Sequence, residues 1–169
     1  MPGRCVGAAP SVAVDLQRAS IYVAWSGPAR NRSRDVFVRK LDRRLRYAGG
    51  PLGTPPPLVR DGASPADQFL EASAVDQHTG AVWVCFYDTR GDPTRRRTRF
   101  ICEVSTDQGS SWHERPAADD WSDEAANKDD PFGYGDYESV VAADGSAHPL
   151  WTDGRLLQED IFTATLPQP

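Results

Sequence analysis

An apolar and aromatic pattern occurs three times along this chain of 169 residues. Each unit holds a short apolar run, a turn, an aromatic-rich strand, a polar loop and a further strand. Trp25, Phe86 and Trp151 stand at matching places in their units, spaced 61 and then 65 residues apart. Short strands at regular spacing indicate repeated sheets, and no long segment shows the helical period of 3.6 residues. The repeat therefore predicts a nearly all-β chain.

One turn of the second unit carries the pattern Ser-x-Asp-x-Gly-x-x-Trp, which runs from Ser105 to Trp112. Asp107 can accept hydrogen bonds from backbone N–H groups of its own turn. Gly109 can adopt a positive φ, which a Cβ atom disfavours, and Trp112 can fold back as an apolar plug. The pattern predicts a structural hairpin turn between the third and fourth strands of the unit, with no catalytic role.

The other two units carry degraded forms of this turn. In the first unit, Asp42 and Tyr47 repeat the five-residue spacing, but Arg44 stands where Gly109 stands in the second. The sequence therefore predicts that the first turn is different or strained. In the third unit the matching aspartate position is Pro167. We expect that unit to lack its fourth strand.

A second set of polar residues follows the strand ends opposite this turn. Because antiparallel strands alternate in direction, the loops after the aromatic strands lie at the same end as the segments that lead into each unit. The pattern Asp-x-Arg occurs there in two units, and the first unit has an arginine without the aspartate. The residues expected to meet at this end are Arg30, Asp67, Asp88, Arg90, Asp136, Tyr137, Glu138, Asp153 and Arg155.

Two interpretations of these residues are open. Arginine binds carboxylates through two donors at once, which suits recognition of an anion or an acidic sugar. Alternatively, an aspartate and an arginine two residues apart pair with each other and pin a loop, and this structural interpretation is favoured. Tyr137 beside acids could attack an anionic sugar, which would repel a carboxylate nucleophile. A packed or loop-anchoring role for Tyr137 is the favoured alternative.

On these residues the chain resembles the bacterial sialidase-like proteins with BNR repeats, from about Pro10 to Leu166. The motifs that carry the resemblance are the turn at 105–112, the segments 87–90, 135–137 and 148–155, and the strand 160–163. The resemblance implies an all-β fold, a partial β-propeller of the sialidase type with about three four-stranded antiparallel blades, the last incomplete. Within a single domain, 1–169, the blades are expected at about 10–60, 67–118 and 134–166.

The resemblance also implies roles for individual residues. Sialidases hold the substrate carboxylate with three arginines and use a Tyr/Glu nucleophile pair with an aspartate as acid/base. The positions that match are Arg30, Arg90 and Arg155 for the clamp, Asp88 and Asp153 beside it, and Tyr137, Asp136, Glu138 and Asp67 for catalysis. The early Arg-Ile-Pro type of motif is missing from this chain.

The expected function is glycan binding or exo-α-sialidase-like glycoside hydrolysis in the intact protein. Two alternatives stay open: a non-catalytic propeller module for protein or polysaccharide interaction, and an inactive truncated fragment. Propellers close rings of four to eight blades, so about three blades leave strand edges and apolar faces exposed. We expect other propeller blades as partners, with the chain a fragment of a longer protein. A homodimer forming a six-bladed ring and an open wedge are the alternatives.

Composition and local sequence limit the classes of partner, the location and the bound metals that we expect. The net charge of −5 argues against a nucleic-acid partner. No apolar run approaches the length of a membrane span, and Met1 to Ala9 lacks the hydrophobic core of a signal peptide. The resemblance nevertheless implies an extracellular or cell-envelope location for the intact protein. No cofactor or metal is expected, because the acidic stretch 119–131 lacks EF-hand spacing and is interpreted as a solvated loop.

The three cysteines leave one without an intrachain partner if two of them pair. Cys85 and Cys102 fall on strands that should be adjacent and antiparallel, so a cross-strand disulfide is one interpretation. Two buried thiols are the favoured interpretation. Cys5 is expected to be a free thiol near the N-terminus.

Overall fold

The computed structural model describes residues 9–29, 33–47, 57–58, 65–123 and 137–169. These residues form antiparallel β-sheets and contain no helix. Strands that pair with one another define three sheets, which follow one another in the chain. The all-β prediction is therefore confirmed for the part of the chain that the structure describes.

Sheet 1 and sheet 3 are each built on a central strand that pairs along both of its edges. In sheet 1 the order is β1, β2, β3, with the strands Ser11–Asp15, Ser20–Pro28 and Arg34–Asp42. In sheet 3, β8 pairs with one edge of β9, and β10 and β11 pair with β9 in succession. These strands are Ser139–Ala143, Ser146–Asp153, Asp160–Thr163 and Leu166–Pro167.

Sheet 2 has four strands in chain order, and it lies between the other two sheets. The strands β4, β5, β6 and β7 are Gln68–Val75, Val82–Asp88, Arg99–Ser105 and His113–Pro116. All seven residues of β5 are buried. Successive side chains of a strand point to opposite faces, so a fully buried strand requires cover on both faces.

The two faces of sheet 2 carry different cores. On one face Val84, Phe86 and Ile101 pack with Ala24 and Val36 of sheet 1. On the other face, apolar residues of sheet 2 pack with residues of sheet 3, and their rings are closely spaced. This second core contains Phe69, Trp83, Cys85, Tyr87, Phe100, Cys102, Ala147 and Trp151. The Phe100 and Trp151 rings are stacked with centroids 5.2 Å apart, and burying such rings contributes much of the packing energy.

The cysteine interpretation that the sequence favoured is wrong. Cys85 and Cys102 stand directly opposite each other on β5 and β6 and form a disulfide. Their Cα atoms are 3.9 Å apart, because directly opposed residues of an antiparallel pair approach closely. Cys5 lies outside the described residues. The disulfide therefore links the two central strands of sheet 2.

The turn after β6 makes the contacts that its sequence pattern predicts. The carboxylate of Asp107 accepts hydrogen bonds from the backbone N–H groups of Ser110 and Ser111 at 3.0 and 2.8 Å. The hydrogen bond from the Ser111 hydroxyl, then that from the Ser111 N–H and that from the Ser105 hydroxyl, lower the pKa of Asp107 to about 2. Gly109 has φ of +89° and donates its N–H to the hydroxyl of Ser105. Trp112 packs against the cores between sheets 1 and 2.

The corresponding turn of sheet 1 is built differently, as Arg44 in place of glycine predicts. Asp42 accepts the N–H groups of Arg44 and Arg46. The positive φ of this turn, 58°, falls on Leu45 and not on Arg44. The one-residue shift lets an aspartate organise the turn without a glycine.

We expect Gly109→Val to lower the free energy of unfolding by about 1–3 kcal/mol, because a β-branched residue is strained at positive φ. A Cβ atom at this position meets Tyr22 and Trp112 only at ordinary contact distances, 3.6 and 3.7 Å. The loss should therefore come from the backbone. Urea denaturation measures it, with Gly109→Asn as the milder control. An equal midpoint for wild type and Gly109→Val would contradict a requirement for positive φ.

Candidate functional site

Two Asp-x-Arg turns close the ends of β5 and β9 with the same geometry. The N–H of Arg90 donates to Oδ1 of Asp88 at 2.7 Å, and its Nε donates to Oδ2 at 2.5 Å. The N–H and Nε of Arg155 donate to Oδ1 and Oδ2 of Asp153, each at 3.0 Å. Both aspartates are buried. Each motif is therefore a closed turn in which the arginine binds the aspartate two residues before it.

Each of these arginines also binds a second carboxylate. Nη2 of Arg90 lies 2.5 Å from Oε2 of Glu114, which is on β7. Nη1 of Arg155 donates to Asp119, in the segment that follows β7. Burial would lower the pKa of Arg90, but the neighbouring acids outweigh it and raise that pKa. Both guanidinium groups are thus directed at acids of this chain, which supports the loop-pinning interpretation.

Asp67 sits in a comparable ion pair between sheets 1 and 2. Its carboxylate binds Arg95 through Nε at 2.9 Å and Nη2 at 2.5 Å, and it accepts the N–H of Arg34 at 3.1 Å. The N–H of Asp67 donates to the hydroxyl of Thr89 at 2.7 Å. Burial would raise the pKa of Asp67, but the bonds from Arg95 help to hold it below its ordinary value. An ionised carboxylate that is 2 % exposed holds no proton to donate, so this geometry favours a structural role.

Two further buried acids near Asp67 were not predicted as site residues. Glu71 is 4 % exposed, and its Oε1 accepts the N–H of Ser26 across the boundary between the sheets at 2.9 Å. Burial raises the pKa of Glu71. The pKa of Asp35 is raised by burial and by the charges of Asp67 and Asp88. Buried acids of this kind keep their protons at higher pH than exposed ones do.

A bulge in β4 explains why Glu71 points into this boundary. The register between β4 and β5 shifts between Phe69 and Ala72, and Leu70 has φ of 54°. A bulge inserts an extra residue and redirects the side chains around it. The signal in the sequence was a single acid within an otherwise small and apolar segment, Phe69 to Val75.

Glu103 is a buried acid on β6 that the sequence interpretation also missed. It is 5 % exposed and stands directly opposite Glu114 of β7. Burial, and then the charge of Glu114, raise the pKa of Glu103 to about 7. In the sequence, the signal for this buried acid was a charged residue between the apolar Cys102 and Val104.

We expect Glu103 to make the fold less stable as the pH rises from about 5 to 8. The pKa of Glu103 is about 7 in the fold, which is above the ordinary value for glutamate. Its stabilising effect is therefore complete at low pH and lost as the pH rises through about 7. Glu103→Gln should be more stable than wild type by about 2 kcal/mol at pH 8, with little difference at pH 5. Urea denaturation at both pH values measures the change, and a pH-independent difference would contradict the assignment.

Of the remaining predicted site residues, Tyr137 does not join these ion pairs. Tyr137 is 74 % exposed and makes no hydrogen bond or ring contact with another described residue. Glu138 follows it, directly before β8, and is half-buried. Arg30 and Asp136 lie outside the described residues. The structure thus brings Asp67 near Asp35 and Asp88 but does not bring Tyr137 into the ion pairs of Asp67, Arg90 and Arg155.

The described residues contain no group of three or more His, Cys, Asp and Glu side chains arranged to hold a metal ion. Among those same residues there is also no helix with the length and apolar character needed to span a bilayer. No protein-family model matches this chain, and no curated protein does.

Proposed function

We propose that this chain is part of a sialidase-like β-propeller and acts as a non-catalytic interaction module. The observation that carries this proposal is the pairing of Arg90, Arg155 and Asp67 with other residues of the chain. A catalytic clamp needs arginines whose donors are directed at the substrate. Here Arg90 and Arg155, two of the candidate clamp arginines, each bind two acids of the chain. Asp67, a candidate catalytic residue, is bound by Arg95.

The stacking of the sheets supports the propeller part of the proposal. Tyr87 of sheet 2 donates its hydroxyl to the carbonyl oxygen of Thr152 in sheet 3 at 2.7 Å. Ser73 of β4 and Ser11 of β1 bond through their hydroxyl groups at 2.8 Å, so the first strands of sheets 1 and 2 lie side by side. Antiparallel sheets that pack face to face in chain order, with first strands adjacent, are typical of successive blades.

Residues at equivalent positions of the repeat indicate which face of sheet 1 would pack against a further sheet. Val84 and Phe86 are buried against sheet 1, and the residues 61 positions earlier are Val23 and Trp25. Those two belong to the outer face of sheet 1, together with Val12, which is 58 % exposed. The outer face of sheet 1 thus matches a face that is covered in sheet 2.

The outer face of sheet 3 likewise carries exposed apolar residues. Val141, Leu150 and Ile161 are 64 %, 37 % and 55 % exposed. Leu150 occupies the place of Cys85, which in sheet 2 is covered by sheet 3. The outer faces of sheets 1 and 3 thus both carry uncovered apolar residues. Such faces favour further sheets of the same kind as partners. A second copy of this chain, closing a six-bladed ring, or other blades of a longer protein would supply them.

The disulfide supports an oxidising location for the intact protein. Disulfides form and persist mainly in secreted and cell-envelope proteins. The Cys85–Cys102 bond is therefore consistent with the extracellular or cell-envelope location that we propose.

Hydrolysis of a fluorogenic α-sialoside tests the non-catalytic role. We expect wild type and Tyr137→Phe to release fluorophore no faster than buffer at any pH from 5 to 8. Turnover by wild type that is lost in Tyr137→Phe would overturn the non-catalytic role and support the sialidase interpretation.

The mass in solution, from light scattering after size exclusion, tests the partner sheets. If a second copy supplies the partner sheets, the chain is a dimer that the double variant Val12→Glu and Val14→Glu converts into a monomer, because two buried charges on the outer face of sheet 1 oppose docking. Leu45→Glu is the matched control, since Leu45 is 68 % exposed in the turn after β3 and lies off this face. A wild-type monomer would rule out the second copy as partner.

A further inference from the structure

Arginines are concentrated in the loop that joins β5 to β6 and at the start of β6. The segment from Arg90 to Arg99 contains five of them. We define the arginine cluster as Arg96, Arg97 and Arg99, whose side chains are all exposed. Arg97 and Arg99 lie two residues apart and so point to the same side of the chain. Thr98, between them, is fully buried on the other side.

Trp121 holds two members of the arginine cluster close together. The guanidinium carbons of Arg97 and Arg99 lie 5.0 and 4.4 Å from the centroid of the Trp121 ring system. The face of an indole attracts cations, and contacts at these distances orient the guanidinium groups. Two like charges are thereby kept at neighbouring positions on the surface.

Hydrogen bonds fix the backbone that carries the arginine cluster. The carboxylate of Asp92 accepts the N–H groups of Thr94, Arg96 and Arg97 at 3.0, 3.1 and 2.8 Å. Thr98 and Ser122 exchange a pair of backbone hydrogen bonds, each at 2.9 Å. That pair places Trp121 beside the cluster. A binding site that is already ordered before the ligand arrives loses less entropy on binding.

The arginine cluster retains unneutralised charge in an acidic chain. Arg90 and Arg95 in the same segment bind Glu114 and Asp67. Arg96 and Arg99, by contrast, form no ion pair with any carboxylate of the described residues, and Arg97 lies 3.7 Å from Asp92. A compact positive patch attracts anionic groups locally, even on a chain of net charge −5.

We infer that the arginine cluster is a binding site for carboxylate or sulfate groups of an acidic polysaccharide. Exposed guanidinium groups bind either anion through paired donors. Nucleic acid fits less well, because its affinity depends on many phosphate contacts and on a positive binding face, and the arginine cluster offers three guanidinium groups. The inference rests on the proposed non-catalytic role, for which it names the ligand.

Binding to defined polymers tests the inference. The probes are dextran sulfate, polygalacturonate and neutral dextran, measured by affinity electrophoresis at 0.1 M salt. We expect wild type to bind the two anionic polymers and not the neutral one. The triple variant Arg96→Gln, Arg97→Gln and Arg99→Gln should bind them at least tenfold more weakly.

A second arginine run provides a control of equal charge. Arg43, Arg44 and Arg46 are all exposed in the turn that follows β3. Their triple change to glutamine removes the same three charges and should weaken binding less than threefold. Equal losses in the two triple variants would overturn the inference, since they would show that net charge alone controls binding.

Two further outcomes would also overturn the inference. One is wild type that binds neither anionic polymer. The other is wild type that binds duplex DNA as tightly as dextran sulfate, with the DNA binding lost in the triple variant of Arg96, Arg97 and Arg99. The ligand would then be a polyphosphate. Hydrolysis of the sialoside is a separate readout, so a failure of the non-catalytic role is distinguishable from a failure of this site.

Discussion

Replacing Asp67 with alanine should destabilise the fold by about 3–5 kcal/mol, the range for removing one partner of a buried ion pair. The carboxylate binds Arg95 through two nitrogen atoms and accepts the N–H of Arg34. The side chain of Arg95 is only 20 % exposed, so water replaces little of the lost interaction. Its charge would stay at the boundary between sheets 1 and 2 after losing both bonds to Asp67.

Urea denaturation of Asp67→Ala, Arg95→Ala and the double variant measures this pair as a cycle. We expect the double variant to be less destabilised than the sum of the two single variants, because the pair is lost only once. Asp144→Asn is the matched control, since the Asp144 side chain is 94 % exposed, and it should change stability by less than about 0.5 kcal/mol. Catalytic residues are often replaced with a gain in stability. An unchanged or raised midpoint for Asp67→Ala would therefore contradict the structural role and favour a functional one.

The parts of the fold that the sequence predicted are those with local periodicity. An apolar run, a turn and an aromatic-rich strand in each unit were enough to predict neighbouring strands, because short strands and turns at regular spacing are a local signal. The Asp107 turn is equally local, since its carboxylate binds N–H groups three and four residues later. Local geometry of this kind can be inferred without knowledge of the rest of the fold.

The site depended on contacts between distant residues, and the sequence predicted only part of it. The Asp88–Arg90 pair spans two residues, so the spacing itself made the structural alternative visible. The partner of Asp67 is 28 residues away, in a loop whose course is set by Asp92. The bulge that turns Glu71 inward depends on how β4 meets β5. Neither feature follows from propensity or spacing.

The cysteine pair shows how register decides between two interpretations of the same residues. Adjacent strands can place two cysteines opposite each other or one step apart, and a one-residue slip moves a side chain to the other face of the sheet. The sequence indicated neighbouring strands but not the pairing of Val84 with Glu103 that sets Cys85 opposite Cys102. Burial of both cysteines was predicted correctly, and both are fully buried.

Changing both Cys85 and Cys102 to alanine should lower the free energy of unfolding by about 3 kcal/mol, the loss expected when a loop of this length is no longer closed in the unfolded chain. The two residues are 17 positions apart. Alanine is preferred to serine, because a buried hydroxyl without a partner adds its own cost. Urea denaturation of the oxidised chain and of the variant measures the difference.

Counting thiols in the unfolded chain checks that the loss comes from the bond itself. Three cysteines with one disulfide leave one reactive thiol in denaturant, and a reductant should raise the count to three. Cys5→Ser should lower the oxidised count to zero and leave the midpoint unchanged, which makes it the control for losing a cysteine outside the bond. Three thiols without reductant, together with a midpoint that reductant does not change, would show that Cys85 and Cys102 are buried thiols. The stability of sheet 2 would then rest on its packing against sheets 1 and 3 alone.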